Sequence, residues 1–127
     1  MQDKYLYEYA VIRVVPRVER EEFLNVGIIL YCSKQGFLEA KIQVNEERFK
    51  AFSCTVETEE LQEYLHTWER ICEGGKAGGS IGLLPIASRF RWLTATRSTI
   101  IQTSKVHPGF CESASETLEC LFQELVL

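Results

Sequence analysis

The chain has 127 residues, 46% of them hydrophobic and 25% charged. That balance excludes a disordered or fibrous chain and suits one domain with one core. Eighteen acidic residues outweigh fourteen basic ones, for a net charge of −4, which matches poorly the extended basic face that a nucleic-acid backbone requires.

The amino-terminal stretch MQDKYLYEYAVIRVV lacks the cationic region, apolar run and small-residue cleavage site of a secretion signal. The longest strongly apolar run, Val26 to Cys32, falls far short of the ~20 residues a membrane-crossing helix needs. A soluble cytoplasmic protein with no membrane partner is expected. Cys32, Cys54, Cys72, Cys111 and Cys120 are odd in number and contain no C-x-x-C pair. Reduced thiols are expected, and neither a metal site nor a cofactor is implied.

In chain order, Tyr5 to Val15 is rich in β-branched and aromatic residues and ends at Pro16, which predicts a first strand. Arg17 to Asn25 is too long for a tight turn and predicts a helical turn around Glu19 to Phe23. Val26 to Cys32 is apolar at every alternation, the pattern of an interior strand covered on both sides. Within it Gly27, after Asn25, marks a bulge or a close backbone approach. After the turn Ser33 to Gly36, Phe37 to Val44 alternates apolar and polar residues, predicting a third strand with one wet face.

The spacing of Leu61, Tyr64, Leu65, Trp68, Ile71 and Cys72 predicts an amphipathic helix from Glu57 to Glu73, with His66 on its wet face. The run GGKAGGS, Gly74 to Ser80, reads as a flexible loop. It is not a phosphate loop: Arg70 stands where the first glycine belongs, Ala77 follows Lys76, and a helix precedes it. Pro85 opens a short helix through Ala95 carrying Ile86, Phe90 and Leu93 on one stripe. Ser98 to Thr103 predicts a fourth strand. Ser113-x-x-Glu116 is a capping box that starts a final helix burying Leu118, Leu121, Phe122 and Leu125. The order β-β-β-α-α-β-α predicts an α+β domain, a mainly antiparallel sheet of about four strands with helices packed on it.

Charge is unevenly spread. Between Gly74 and Cys111 stand Lys76, Arg89, Arg91, Arg97 and Lys105 with no Asp or Glu, a charge of +5, against −9 for the rest. Such a segment suggests an anion-binding surface wherever the fold brings its cations together, since salt screens beyond ~8 Å. Arg97, Ser98 and Thr99 offer a guanidinium and two hydroxyls for a carboxylate or phosphate. The structural alternative is that these arginines pair with the acidic helix 57–73 and tie the layers together. Trp92 offers either a stacking platform or a partly buried core side chain. His107 and Cys111 raise a nucleophile reading, which needs thiol and imidazole within hydrogen-bond reach.

The stretches YEYAVIRVVPRVEREEFLNVGIILY, Tyr7 to Tyr31, and RFRWLTATRSTIIQTSKVHPGFC, Arg89 to Cys111, together with the carboxy-terminal helix, resemble the bacterial family called domain of unknown function 3037. The resemblance spans nearly the whole chain. Thr96, Thr103 and Lys105 stand where that family usually has proline, which implies a less rigid loop around the fourth strand. The family carries no assigned activity, so no catalytic residue follows from the resemblance. Its association with HipA-type protein kinases implies an accessory or regulatory role beside a kinase-like protein partner. The two resembling blocks also suggest a shared surface in which Arg13 and Arg17 join Arg91 or Arg97.

The expected function is a non-enzymatic binding or regulatory domain whose basic segment 89–107 engages an anionic group on a partner. Its candidate residues are Arg13, Arg17, Arg91, Arg97, Ser98, Thr99, Lys105 and His107. The alternative is a small hydrolase or phosphate-handling enzyme using Arg97, Ser98, His107 and Cys111.

Overall fold

A computed structural model describes residues 4–52, 58–97 and 99–127. These form strands β1 (Tyr5–Val14), β2 (Leu24–Cys32), β3 (Phe37–Ile42), β4 (Ile101–Thr103) and β5 (His107–Cys111), and helices α1 (Glu46–Phe52), α2 (Thr58–Glu73), α3 (Gly79–Gly82), α4 (Ile86–Leu93) and α5 (Ala114–Leu125). The sheet is antiparallel in the order β3-β2-β1-β4, with β5 also paired to β1. The domain is α+β, as its element pattern predicts. Among the described residues no helix is long and apolar enough to cross a membrane.

Strand alternation sorts β1 between two cores. Ala10, Ile12 and Val14 face Phe49 of α1, Leu61, Leu65, Trp68 and Ile71 of α2, and Phe90 and Leu93 of α4. Val11 faces the other way with Ile28, Leu30 and Cys32, under Ala114, Leu118 and Phe122 of α5. Every residue of β2 from Val26 to Cys32 is therefore buried, which accounts for its unbroken apolar run. Each large side chain so buried contributes ~1.5–3 kcal/mol of transfer free energy.

The register shifts between Ile12 and Arg13: Ile12 faces Gly27 and Arg13 faces Asn25, leaving Val26 as the extra residue of a bulge. Gly27 also answers the second structural expectation. A Cβ there would stand 2.7 Å from the Lys41 carbonyl oxygen and 2.9 Å from Ile42 Cγ1.

β4 and β5 lie end to end along the outer edge of β1, opposite Ile12–Val14 and Tyr5–Tyr9 respectively. Ser104 occupies the break between them. Its backbone N–H donates to the Val11 carbonyl at 2.9 Å, while its hydroxyl accepts from the Val11 N–H at 2.8 Å. The hydroxyl in turn donates to the Lys105 carbonyl at 2.9 Å. A side chain thus takes the place of a ladder carbonyl and lets the chain leave and rejoin the same edge.

Several elements differ from expectation. β5 occupies a stretch whose Pro108-Gly109 pair is by itself a turn signal; Pro108 is tolerated there because an edge strand leaves one side unpaired, and Tyr7 lies across the bare Gly109. β3 stops at Ile42, and α1 follows, capped by Asn45, whose side-chain oxygen accepts from the Arg48 N–H at 3.1 Å. The turn between β1 and β2 is a single 3₁₀ turn at Val18–Arg20. β4 begins at Ile101; Ser98, Glu57 and Cys54, named in the sequence reading, lie outside the described residues.

The glycine-rich run is internally bonded. Gly74 ends α2 at φ +83°, its N–H donating to the Arg70 carbonyl at 3.0 Å. Gly75 donates to the Gly82 carbonyl at 2.9 Å, and Gly82 has no room for a Cβ, which would stand 2.5 Å from the Gly75 oxygen. A 3₁₀ turn at Lys76–Gly78 and the single turn α3 fill the space between.

Candidate ligand-binding groove

Tyr64, Thr67, Trp68 and Ile71 recur at helical spacing on α2 and form one wall of a cavity of about 600 Å³. Trp92, at the end of α4, and Arg97, Thr99, Ile100 and Ile101, on the way into β4, form the other. Trp68 and Ile71 belong to the core and are almost fully buried, so they supply the floor. Tyr64 and Trp92 retain 51% and 41% of their exposure. Tyr64 sits on the apolar stripe of α2 yet is not core; it overhangs the cavity.

Arg97 is placed by the reversal after α4. Its guanidinium lies over the Trp92 ring at 4.6 Å from the centroid and donates to the Trp92 carbonyl. Stacking on an indole holds the planar fork flat and leaves most of its donors free. Thr99 shapes the same turn: its hydroxyl donates to the Ile101 carbonyl at 2.8 Å, and its carbonyl accepts from the Gln102 side-chain amide at 2.8 Å. Among the described residues no carboxylate lies within ion-pair distance of Arg97. The groove therefore combines an aromatic wall, an apolar floor and one uncompensated cation.

Arg91, Arg89 and Arg17 are engaged elsewhere. Arg91 forms a fork-to-fork pair with Glu8 of β1 at 2.8 and 2.7 Å, and this contact raises the guanidinium pKa further. Arg89 donates to the carbonyls of Ile71 and Cys72 at 2.9 and 2.7 Å and of Leu84 at 3.0 Å. It closes the carboxy-terminal end of α2, where helix polarity favours a cation. Arg17 pairs with the exposed Glu19 at 2.9 Å. No described ion pair joins the basic segment to the acidic side chains of α2. Arg89 instead joins α4 to α2 within one helix layer, through backbone oxygens.

Arg13 lies on the opposite face of the sheet from the groove, by the alternation of β1, with its guanidinium 3.9 Å from the Phe23 ring centroid. Burial lowers its pKa, and its Nε has no hydrogen-bond partner among the described residues. Arg13 therefore does not converge with Arg91 or Arg97, and the Arg17 guanidinium is engaged by Glu19. Lys105 is exposed between β4 and β5.

His107 and Cys111 stand at the two ends of β5, opposite Tyr9 and Tyr5. Four residues of strand separate them by ~13 Å, so thiol and imidazole do not form a couple. His107 is exposed against the Tyr9 ring at 5.3 Å. Cys111 is buried, and burial pushes its thiol pKa up, away from the thiolate a nucleophile needs.

The family model described as "Protein of unknown function (DUF3037)" matches residues 9–126. The chain belongs to this family. No curated protein and no solved structure matches it. The match covers all five groove-lining residues beyond α2 and all four on it, so the groove lies wholly inside the DUF3037 unit. Of the residues marked in the sequence, Trp92, Arg97 and Thr99 line it. Tyr64, Thr67, Trp68 and the isoleucines were missed as ligand-facing, because helical and strand periodicity assigns such positions to a core. The half-exposed state of Tyr64 and Trp92 depends on the gap between α2 and the 97–101 segment, which no local pattern records.

Proposed function

We propose that this protein is a non-enzymatic binding domain that engages an anionic group of a partner at Arg97, with the apolar part of the ligand held against Tyr64, Trp68 and Trp92. The observation that carries this reading is the uncompensated guanidinium stacked on Trp92 at the rim of an otherwise apolar cavity. A buried or half-buried anion meeting such a fork makes charge-assisted hydrogen bonds of ~1.5–3 kcal/mol each. The cavity volume is in the range of ~300–1,000 Å³ typical of ligand sites. A regulatory role beside a kinase-like protein, in a cytoplasmic setting, is the context that the family resemblance suggests for this binding.

The test is affinity capture with the immobilised protein, comparing wild type with Arg97→Ala and with Arg91→Ala. Capture by wild type that weakens with salt, persists in Arg91→Ala and is lost in Arg97→Ala is the expected pattern. Equal, salt-insensitive capture by all three proteins rejects the reading.

A further inference from the structure

Resting on the reading of Arg97 as the anion-binding residue, we infer that the groove selects a monocarboxylate with an aromatic or branched apolar body rather than a phosphate. Among the described residues Arg97 is the only cation lining the cavity. A carboxylate presents two coplanar oxygens that one guanidinium fork satisfies as a parallel pair of hydrogen bonds. A phosphate monoester carries up to two charges and three acceptor oxygens at neutral pH, and the described lining of the groove holds no second cation to meet them. The threonine hydroxyls do not fill that role, since Thr99 is already bonded to the Ile101 carbonyl and Thr67 to the Glu63 carbonyl at 3.2 Å.

The surroundings reinforce this choice. α2, which forms one wall, carries Glu59, Glu60, Glu63, Glu69 and Glu73 against Arg70 alone. Their field repels a dianion more than a monoanion. Tyr64, Trp68, Trp92, Ile71, Ile100 and Ile101 supply apolar surface to hold the ligand's body. Trp92 bears the guanidinium on its ring, so the carboxylate sits next to Trp92 and the body extends toward Tyr64.

Two sources offer this chemistry, a free aromatic acid and the last residue of a partner chain. The experiment uses 1-naphthylacetate and a hexapeptide acid ending in Phe, each compared with its primary amide, and 1-naphthyl phosphate as the dianion. Binding is read from tryptophan fluorescence and confirmed by calorimetry with wild type, Arg97→Gln and Trp92→Ala, after circular dichroism shows each variant folded. At least one acid is expected to bind at least tenfold tighter than its amide to wild type, and to lose that preference in Arg97→Gln. The source is the acid whose preference is larger. Tighter binding of the naphthyl phosphate than of naphthylacetate overturns the carboxylate assignment while leaving Arg97 as an anion site. Acids binding no better than amides, or no ligand binding at millimolar concentration, overturns both.

Discussion

Ser104 is the buried polar residue on which the outer edge of the sheet turns. Because its hydroxyl stands in for a strand carbonyl toward the Val11 N–H, Ser104→Ala leaves a buried donor unpaired without removing much volume. The expected loss is ~1–3 kcal/mol of unfolding free energy, read from urea denaturation. A loss below the error of that measurement means Val11 has another acceptor. Nothing in the local sequence Thr103-Ser104-Lys105 distinguishes this serine from a surface one. Its role comes from Val11, 93 positions away. Gly27 is the opposite case: a glycine inside an apolar run signals a close approach by itself, and the Lys41 carbonyl is what approaches.

At the scale of elements, α2 and α4 are joined by one arginine. Arg89 fans across the Ile71, Cys72 and Leu84 carbonyls, and Gly74 lies directly beneath its guanidinium, where a Cβ would meet Nη1 at 2.9 Å. Arg89→Ala is expected to cost ~2–3 kcal/mol, from charge-assisted bonds to helix-end carbonyls. It should also raise amide exchange in the last turn of α2. Arg89→Lys recovers only part, since a single ammonium cannot span three carbonyls; full recovery by lysine shows that charge alone matters. The strands and long helices were legible because β2, α2 and α5 carry clean periodicity. α1 and β5 were not, for different reasons. Among its described side chains α1 shows one that is buried, Phe49, and it has a cap at Asn45; β5 hides behind Pro108-Gly109, a dipeptide that reads as a turn until an edge position makes it admissible.

For the molecule as a whole, folding disperses the positive segment. Arg89 closes a helix, Arg91 meets Glu8, and Arg97 turns to the groove. Burial also sets a global pH response. The Cys72 thiol is pushed up from 9.0 to about 12, and Cys111 and Tyr7 are raised too. Each is favoured in its neutral form by the fold, and the stability that Cys72 contributes is complete below pH 9 and is lost as pH climbs toward 12. Chemical denaturation midpoints should therefore fall between pH 8 and pH 10, with a smaller fall in Cys72→Ala. A fall of the same size in that variant removes Cys72 as a contributor.

Alternation and helical spacing, read along the chain, determined the α+β class, the doubly covered β2 and the apolar stripe of α2, because burial imposes those periods on neighbouring residues. The carboxylate-free basic segment separately marked Arg97 and Thr99. Only the tertiary structure decided which cation faces the groove. Ion pairs such as Arg91 with Glu8 form between residues 83 positions apart, and a charge is neutralised by what is near it in space, which a one-dimensional pattern does not encode.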